Sequence, residues 1–156
     1  DITIPFQMSS VEFFTMVKEH LNENGVMVVN MNMRGNNEGN INQYLSDTIA
    51  SVFDHIVTVD VDGSTNRELY ASSNADMVKT LENNANETGH SDLRDMMLHV
   101  ADTSSVYEAG DYIMTDDKAP VELLGMQVID QLIQGEVAYY KDIFEKDGIN
   151  GLLESL

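Results

Sequence analysis

The amino-acid sequence predicts an α/β fold: the closing end of a doubly wound sheet, followed by an acidic, mainly helical extension. Three observations carry that prediction. The apolar run Val26-Met27-Val28-Val29-Asn30-Met31 stands between two segments with helical apolar spacing. Two β-rich runs follow, joined by the turn formers Asp62-Gly63-Ser64-Thr65-Asn66. Beyond Ser73 the apolar residues recur at helical spacing.

Ser9 and Glu12 have the spacing of a capping box, and Val11, Phe13, Phe14, Val17 and Leu21 form the apolar face of a helix ending near Asn22. Asn24-Gly25 supplies a left-handed stop. Residues 26–31 lack alternation, which predicts a central, parallel-type strand covered on both faces. A polar, Gly-rich stretch over 32–40 leads to a second helix over 41–54, whose stripe is Ile41, Leu45, Ile49, Val52 and Phe53. Residues 55–61 alternate apolar and polar and pair with 67–72 as an antiparallel hairpin. A helix packed on a buried parallel strand normally follows another strand of the same sheet. Too little chain precedes Ser9 to form one, so a preceding strand is expected to be missing and the sheet to expose an edge.

The extension begins with helices over 75–83 and 91–101, separated by an Asn-rich link. Asp117 is placed to cap a long helix that has Pro120 in its first turn and runs through Val121, Leu124, Val128, Leu132 and Ile133. Gly135 is expected to weaken that helix, and a short helix over 149–156 closes the chain. The chain thus divides into a partial α/β unit over 1–73 and an acidic helical extension over 74–156 packed on it.

The chain has 156 residues, with 27 Asp and Glu against 8 Lys and Arg, a net charge of −19. That balance excludes a protein that tracks nucleic-acid phosphates. Hydrophobic residues make up 42%, enough for a core, which argues against an acidic disordered tail. No run approaches the roughly 20 apolar residues of a membrane helix. A soluble domain is expected, in the cytoplasm. Cysteine is absent, which removes disulfides, thiolate metal sites and cysteine nucleophiles together.

No phosphate-binding P-loop, G-x-G-x-x-G turn, H-E-x-x-H or G-x-S-x-G motif is present, so no catalytic residue is assigned. Gly35 and Gly39 flank a polar loop after the predicted central strand; residues 30–40 either face a ligand crevice or form a plain connection. Asp60, Asp62, Ser64 and Asn66 resemble a calcium loop superficially, but Gly63 and Ala71 fall where the loop needs other residues. The four histidines lack metal-ligand spacing, and no metal site is assigned. Asn86-Glu87-Thr88 matches a glycosylation acceptor by chance in an Asn-rich loop. Asp116-Asp117 is the sharpest acidic pair: two carboxylates able to hold a cationic substrate, or a solvated residue beside a helix cap.

The pieces Ile4-Pro5-Phe6-Gln7-Met8, Val11-Glu12-Phe13-Phe14 and Asn24-Gly25-Val26-Met27-Val28-Val29-Asn30 resemble the segment after the fourth strand in spermidine synthases and their membrane-fused relatives. Gly63-Ser64-Thr65-Asn66-Arg67 and Thr115-Asp116-Asp117-Lys118-Ala119-Pro120-Val121-Glu122 are similar to two later markers of the fused subgroup. The resemblance implies the C-terminal half of a methyltransferase-like Rossmann fold. It also implies a parent that moves an aminopropyl group from decarboxylated S-adenosylmethionine to a polyamine. The family's nucleotide loop and catalytic Asp would lie ahead of Asp1, so the chain alone is expected to be inactive and to hold no cofactor. Asp1 would lie near an acidic position that holds the substrate amine, and Gln7 in the loop over the substrate pocket. Asp116 and Asp117 join them as candidate substrate-binding residues. The acidic surface would steer a polycationic substrate. The expected partners are the missing N-terminal half and a polyamine, with a homodimer also open, and a membrane anchor in the parent. Two other readings stand: an acidic interaction or dimerisation module, and part of a related S-adenosylmethionine-dependent methyltransferase.

Overall fold

A computed structural model describes residues 5–32 and 38–155. After a short 3-10 turn at Phe6–Met8 come α1 (Val11–His20), β1 (Val26–Met31), α2 (Ile41–Ala50), β2 (His55–Asp60) and β3 (Arg67–Ser72). The chain continues through α3 (Met77–Glu87), α4 (Ser91–Thr103), β4 (Ser105–Val106) and α5 (Val121–Ser155). The architecture is α/β, and the strands form one sheet in the order β1-β3-β2-β4 with antiparallel neighbours.

The expected hairpin of β2 and β3 is present, with Asp60 opposite Arg67 and His55 opposite Ser72. Its turn closes through the Val61 N–H donating to the Asn66 carbonyl at 3.1 Å, with Gly63 at φ 68°. β3 also pairs with β1, Met31 opposite Arg67. Since β3 is antiparallel to both neighbours, β1 and β2 point the same way, with α2 in the connection between them.

β1 is not central in the described sheet, and it is not covered on both faces. The returning strand β3 inserts between β1 and β2, which puts β1 at an edge in an antiparallel pairing. Met27, Val29 and Met31 face the core, whereas Val26 and Val28 are 41% and 52% exposed. An apolar run shows that both faces tolerate burial, but the neighbours decide whether both receive it.

The core joins Phe14 of α1, Met31 of β1, Leu45 and Ile49 of α2, Phe53, Ile56 of β2, Leu69 and Ala71 of β3, Met114 and Val121. α1, α2 and the segment before α5 therefore cover one face of the sheet. On the other face, Val57 and Tyr70 meet Met77, Leu81 and Val100 of the α3–α4 pair around a cleft of about 330 Å³, which Val26 and Val28 line at the β1 edge.

Two helices run further than their sequences predict. α3 passes through the Asn-rich stretch to Glu87, because Ala85 is fully buried and packing overrides the weak helix propensity of Asn. The Asn86 side chain accordingly donates to the Glu82 carbonyl in a helix, not a loop. α5 passes Gly135 without interruption and breaks at Gly148, where φ is 65° and ψ −157°. A mid-helix Gly weakens a helix by only about 1 kcal/mol, but a left-handed break selects Gly. Val121 and Leu124 at the start of α5 are buried, while Met126, Ile133, Val137 and Phe144 are exposed.

Candidate functional site

The amino end of α1 is built differently from the predicted capping box. Ser10, not Ser9, is the N-cap: its side chain accepts from the Phe13 N–H at 3.3 Å, while the Ser9 hydroxyl donates to the Phe6 carbonyl. The Glu12 carboxylate accepts from the Asp116 N–H at 3.0 Å. The Ser10 hydroxyl in turn donates to the Asp116 carboxylate, and the Val11 N–H donates to the Met114 carbonyl. One acidic residue from the late loop thus fastens that loop to the first turn of α1.

Gln7 lies exposed in the 3-10 turn, three residues before Ser10, so the fold brings Gln7 and Asp116 to the same end of α1. Asp117 does not cap α5. It occupies the turn closed by the Thr115–Lys118 pair, and α5 begins after Pro120, whose carbonyl accepts from the Leu124 N–H. Asp1 and Gly35 lie outside the described residues, as does most of the loop that follows β1.

Asp47, unremarkable in the sequence, is a buried carboxylate that accepts three hydrogen bonds. It is 1% exposed in the middle of α2. Its oxygens accept from the Tyr107 hydroxyl at 2.6 Å, the Gly110 N–H at 3.0 Å and the Tyr112 N–H at 3.1 Å. The next residue, Thr48, accepts the Met114 N–H at 2.9 Å. Residues 107–114 are thereby strapped across α2. Burial and the adjacent Asp47 carboxylate push the Tyr107 phenol well above its ordinary value, so it stays a hydrogen-bond donor. No sequence motif signals this arrangement, because the partners of Asp47 lie about sixty residues on and two of them are backbone groups.

At the carboxyl ends of β1 and β2, Met31, Arg67 and Asp60 form one row across three strands. Arg67 grips Asp60 with two hydrogen bonds, Nε to Oδ1 at 2.6 Å and Nη2 to Oδ2 at 3.1 Å. Close by in sequence, α2 opens with Asn40 as N-cap, accepting from the Gln43 N–H at 2.9 Å. These elements can orient carboxylates, amides and a guanidinium at the carboxyl ends of β1 and β2. Among the described residues no group of three or more His, Asp or Glu is placed to hold a metal ion.

No protein-family model matches the chain. It is 49% identical, over 173 aligned positions, to a protein of Bifidobacterium longum (strain NCC 2705) described as a "Probable polyamine aminopropyl transferase". The match covers all of this chain and 39% of that protein, so the chain spans well under half the length of its relative. On that identity, sustained from one end of the sequence to the other, the chain belongs to the spermidine synthase-like family of polyamine aminopropyl transferases.

Proposed function

We propose that the chain is the C-terminal half of a spermidine synthase-like domain of the membrane-fused subgroup, and that the whole protein transfers an aminopropyl group from decarboxylated S-adenosylmethionine to a polyamine. The 49% identity to the Bifidobacterium protein, over the whole of this chain and 39% of that protein, supports the family in this reading. The direction of the strands supports it: β1 and β2 run parallel with α2 between them, as in a doubly wound sheet whose last strand turns back. The outer edge of β1, flanked by Val26 and Val28, is where the preceding strand of such a sheet would add.

In the reaction, the amine nitrogen forms a bond to the aminopropyl carbon as the carbon–sulfur bond breaks. The sulfonium leaves as a neutral thioether, and the amine's surplus proton passes to a carboxylate. The protein supplies alignment and negative charge for the cationic acceptor. Asp1, Gln7, Asp116 and Asp117 are the residues proposed to face the amine, Asp116 while also fastening α1. The resemblance to the family assigns the co-substrate's nucleoside to the preceding half and the isolated chain to inactivity. No described helix is long and apolar enough to cross a membrane.

Radiolabelled aminopropyl transfer by the full-length protein and by residues 1–156, with diamine and polyamine acceptors, tests the proposal. Transfer by the full-length protein alone is the expected result. Methyl transfer from S-adenosylmethionine, or binding of decarboxylated S-adenosylmethionine by the isolated chain at millimolar concentration or below, overturns it. The exposed apolar residues of α5 favour a second reading, an association module. Sedimentation of the full-length protein at two salt concentrations tests it, and a monomer at both refutes it.

A further inference from the structure

The strap over α2 does more than cover the core. While Asp47 holds the Tyr112 backbone, the Tyr112 side chain reaches the amino end of the same helix. Its ring lies 4.9 Å from that of Tyr44, and its hydroxyl donates to the Glu38 carboxylate at 3.2 Å. The ring also covers Gly39: a Cβ added there would stand 3.4 Å from the Tyr112 ring. Gly39 has φ +71°, a conformation that favours Gly, and its N–H donates to the Gln43 side chain at 2.7 Å. The last turn of the connection from β1 to α2 is therefore held from two sides, by Gln43 of the helix and by Tyr112 of the strap.

We infer that Tyr112 is a positioning residue, which fixes Glu38 and Gly39 where the chain enters α2, a helix start that the Asn42 side chain ties to the Asn32 carbonyl just after β1. The inference rests on the proposed function in one respect: in an open α/β sheet the loops at the carboxyl ends of parallel strands line the ligand crevice. Glu38 and the Tyr112 hydroxyl are exposed, so their bond adds little to global stability. Its effect is local order. The chemistry that benefits is recognition of the amine acceptor, because a carboxylate held in one place meets an ammonium group without first losing side-chain freedom.

The test uses the full-length protein and two variants, Tyr112→Phe and Tyr112→Ala. Amide hydrogen exchange over residues 38–43 is expected to quicken about fivefold in Tyr112→Phe, the loss of roughly one hydrogen bond, and further in Tyr112→Ala. The melting temperature of Tyr112→Phe is expected to match wild type. The KM for the amine acceptor is expected to rise by a similar factor in Tyr112→Phe with kcat nearly unchanged, a split that a purely structural role would not produce. Unchanged exchange at 38–43 in a folded Tyr112→Ala overturns the positioning role, and faster exchange with unchanged KM overturns its link to the acceptor. If wild type transfers no aminopropyl group, the proposed function fails, and the exchange data still decide whether Tyr112 orders the connection.

Discussion

The Tyr107 hydroxyl donates a 2.6 Å hydrogen bond to the Asp47 carboxylate and ties the segment after β4 to the middle of α2. The same carboxylate takes two backbone N–H groups, so a negative charge 1% exposed is satisfied entirely by donors fixed by the fold. Asp47→Ala strands all three donors. A loss of about 3–5 kcal/mol is expected, the range for breaking a buried charged network, whereas Tyr107→Phe, which removes one donor, should lose about 1.5–3 kcal/mol. Urea unfolding of the full-length protein and its variants measures both.

Tyr107 also sets a pH dependence. Its phenol is raised in the folded state, first by burial and then by the Asp47 carboxylate. Above the unfolded value of about 10 the unfolded chain loses a proton that the native state keeps, so unfolding becomes easier as pH rises. The contribution is fully present below pH 10 and fades above it. Tyr70 and Tyr112, also raised, act in the same direction. Stability against pH should fall less steeply above pH 10 in Tyr107→Phe than in wild type, and parallel curves would refute the assignment.

The helices and the hairpin were legible because each depends on local pattern: the stripe of α2 and the turn formers between β2 and β3. The left-handed stop expected at Gly25 is not there: among the described glycines φ is positive at Gly39, Gly63 and Gly148, and α1 ends at an extended Leu21. The order of the strands was not. Nothing in Val26-Met27-Val28-Val29 says that β3 will lie beside it, since an apolar strand is equally suited to the edge and to the centre until its neighbours are known. The clasp between Asp116 and α1 was half legible: the acidic pair stood out, but its partners Ser10 and Glu12 lie about a hundred residues away. Ser9 with Glu12 fits a capping box by spacing, yet Ser10 is the cap, the Ser9 hydroxyl donates to the Phe6 carbonyl and Glu12 accepts from the Asp116 N–H.

Ser10 both caps α1 and donates to Asp116, so its two bonds should be lost together. Ser10→Ala is expected to destabilise by about 1–2 kcal/mol, at the upper end for an N-cap. If Asp116 acts mainly through Ser10, Asp116→Ala in the Ser10→Ala background should lose clearly less than in wild type. A double-mutant cycle measures that coupling, and full additivity would show that the two residues act separately.

The pair formed by Arg67 and Asp60 makes the opposite case to Asp47. It has two well-formed hydrogen bonds, yet its side chains are 39% and 45% exposed. Solvent and salt screen such a pair, and Asp60→Asn is expected to lose less than about 1 kcal/mol. A loss comparable to that of Asp47→Ala, in the same urea unfolding, would show that this row at the strand ends is held far more tightly than its exposure implies.

Glycines separate close approach from helix propensity. At Gly110 a Cβ would stand 2.5 Å from Asp47 Oδ2, with the carboxyl carbon at 3.0 Å, and that carboxylate is held by three donors and cannot swing aside. Gly110→Ala must displace the strap or break the network, so a loss of about 2–3 kcal/mol is expected. Gly135 lies inside α5, and nothing stands within 4 Å of an added Cβ. There the substitution by Ala only removes freedom from the unfolded chain, and a gain of about 0.4–1 kcal/mol is expected. Thermal unfolding of the two variants should therefore move the melting temperature in opposite directions. Stabilisation by Gly110→Ala would show that the strap does not lie against Asp47, and a loss from Gly135→Ala would show that this stretch of α5 is not helical in the folded protein.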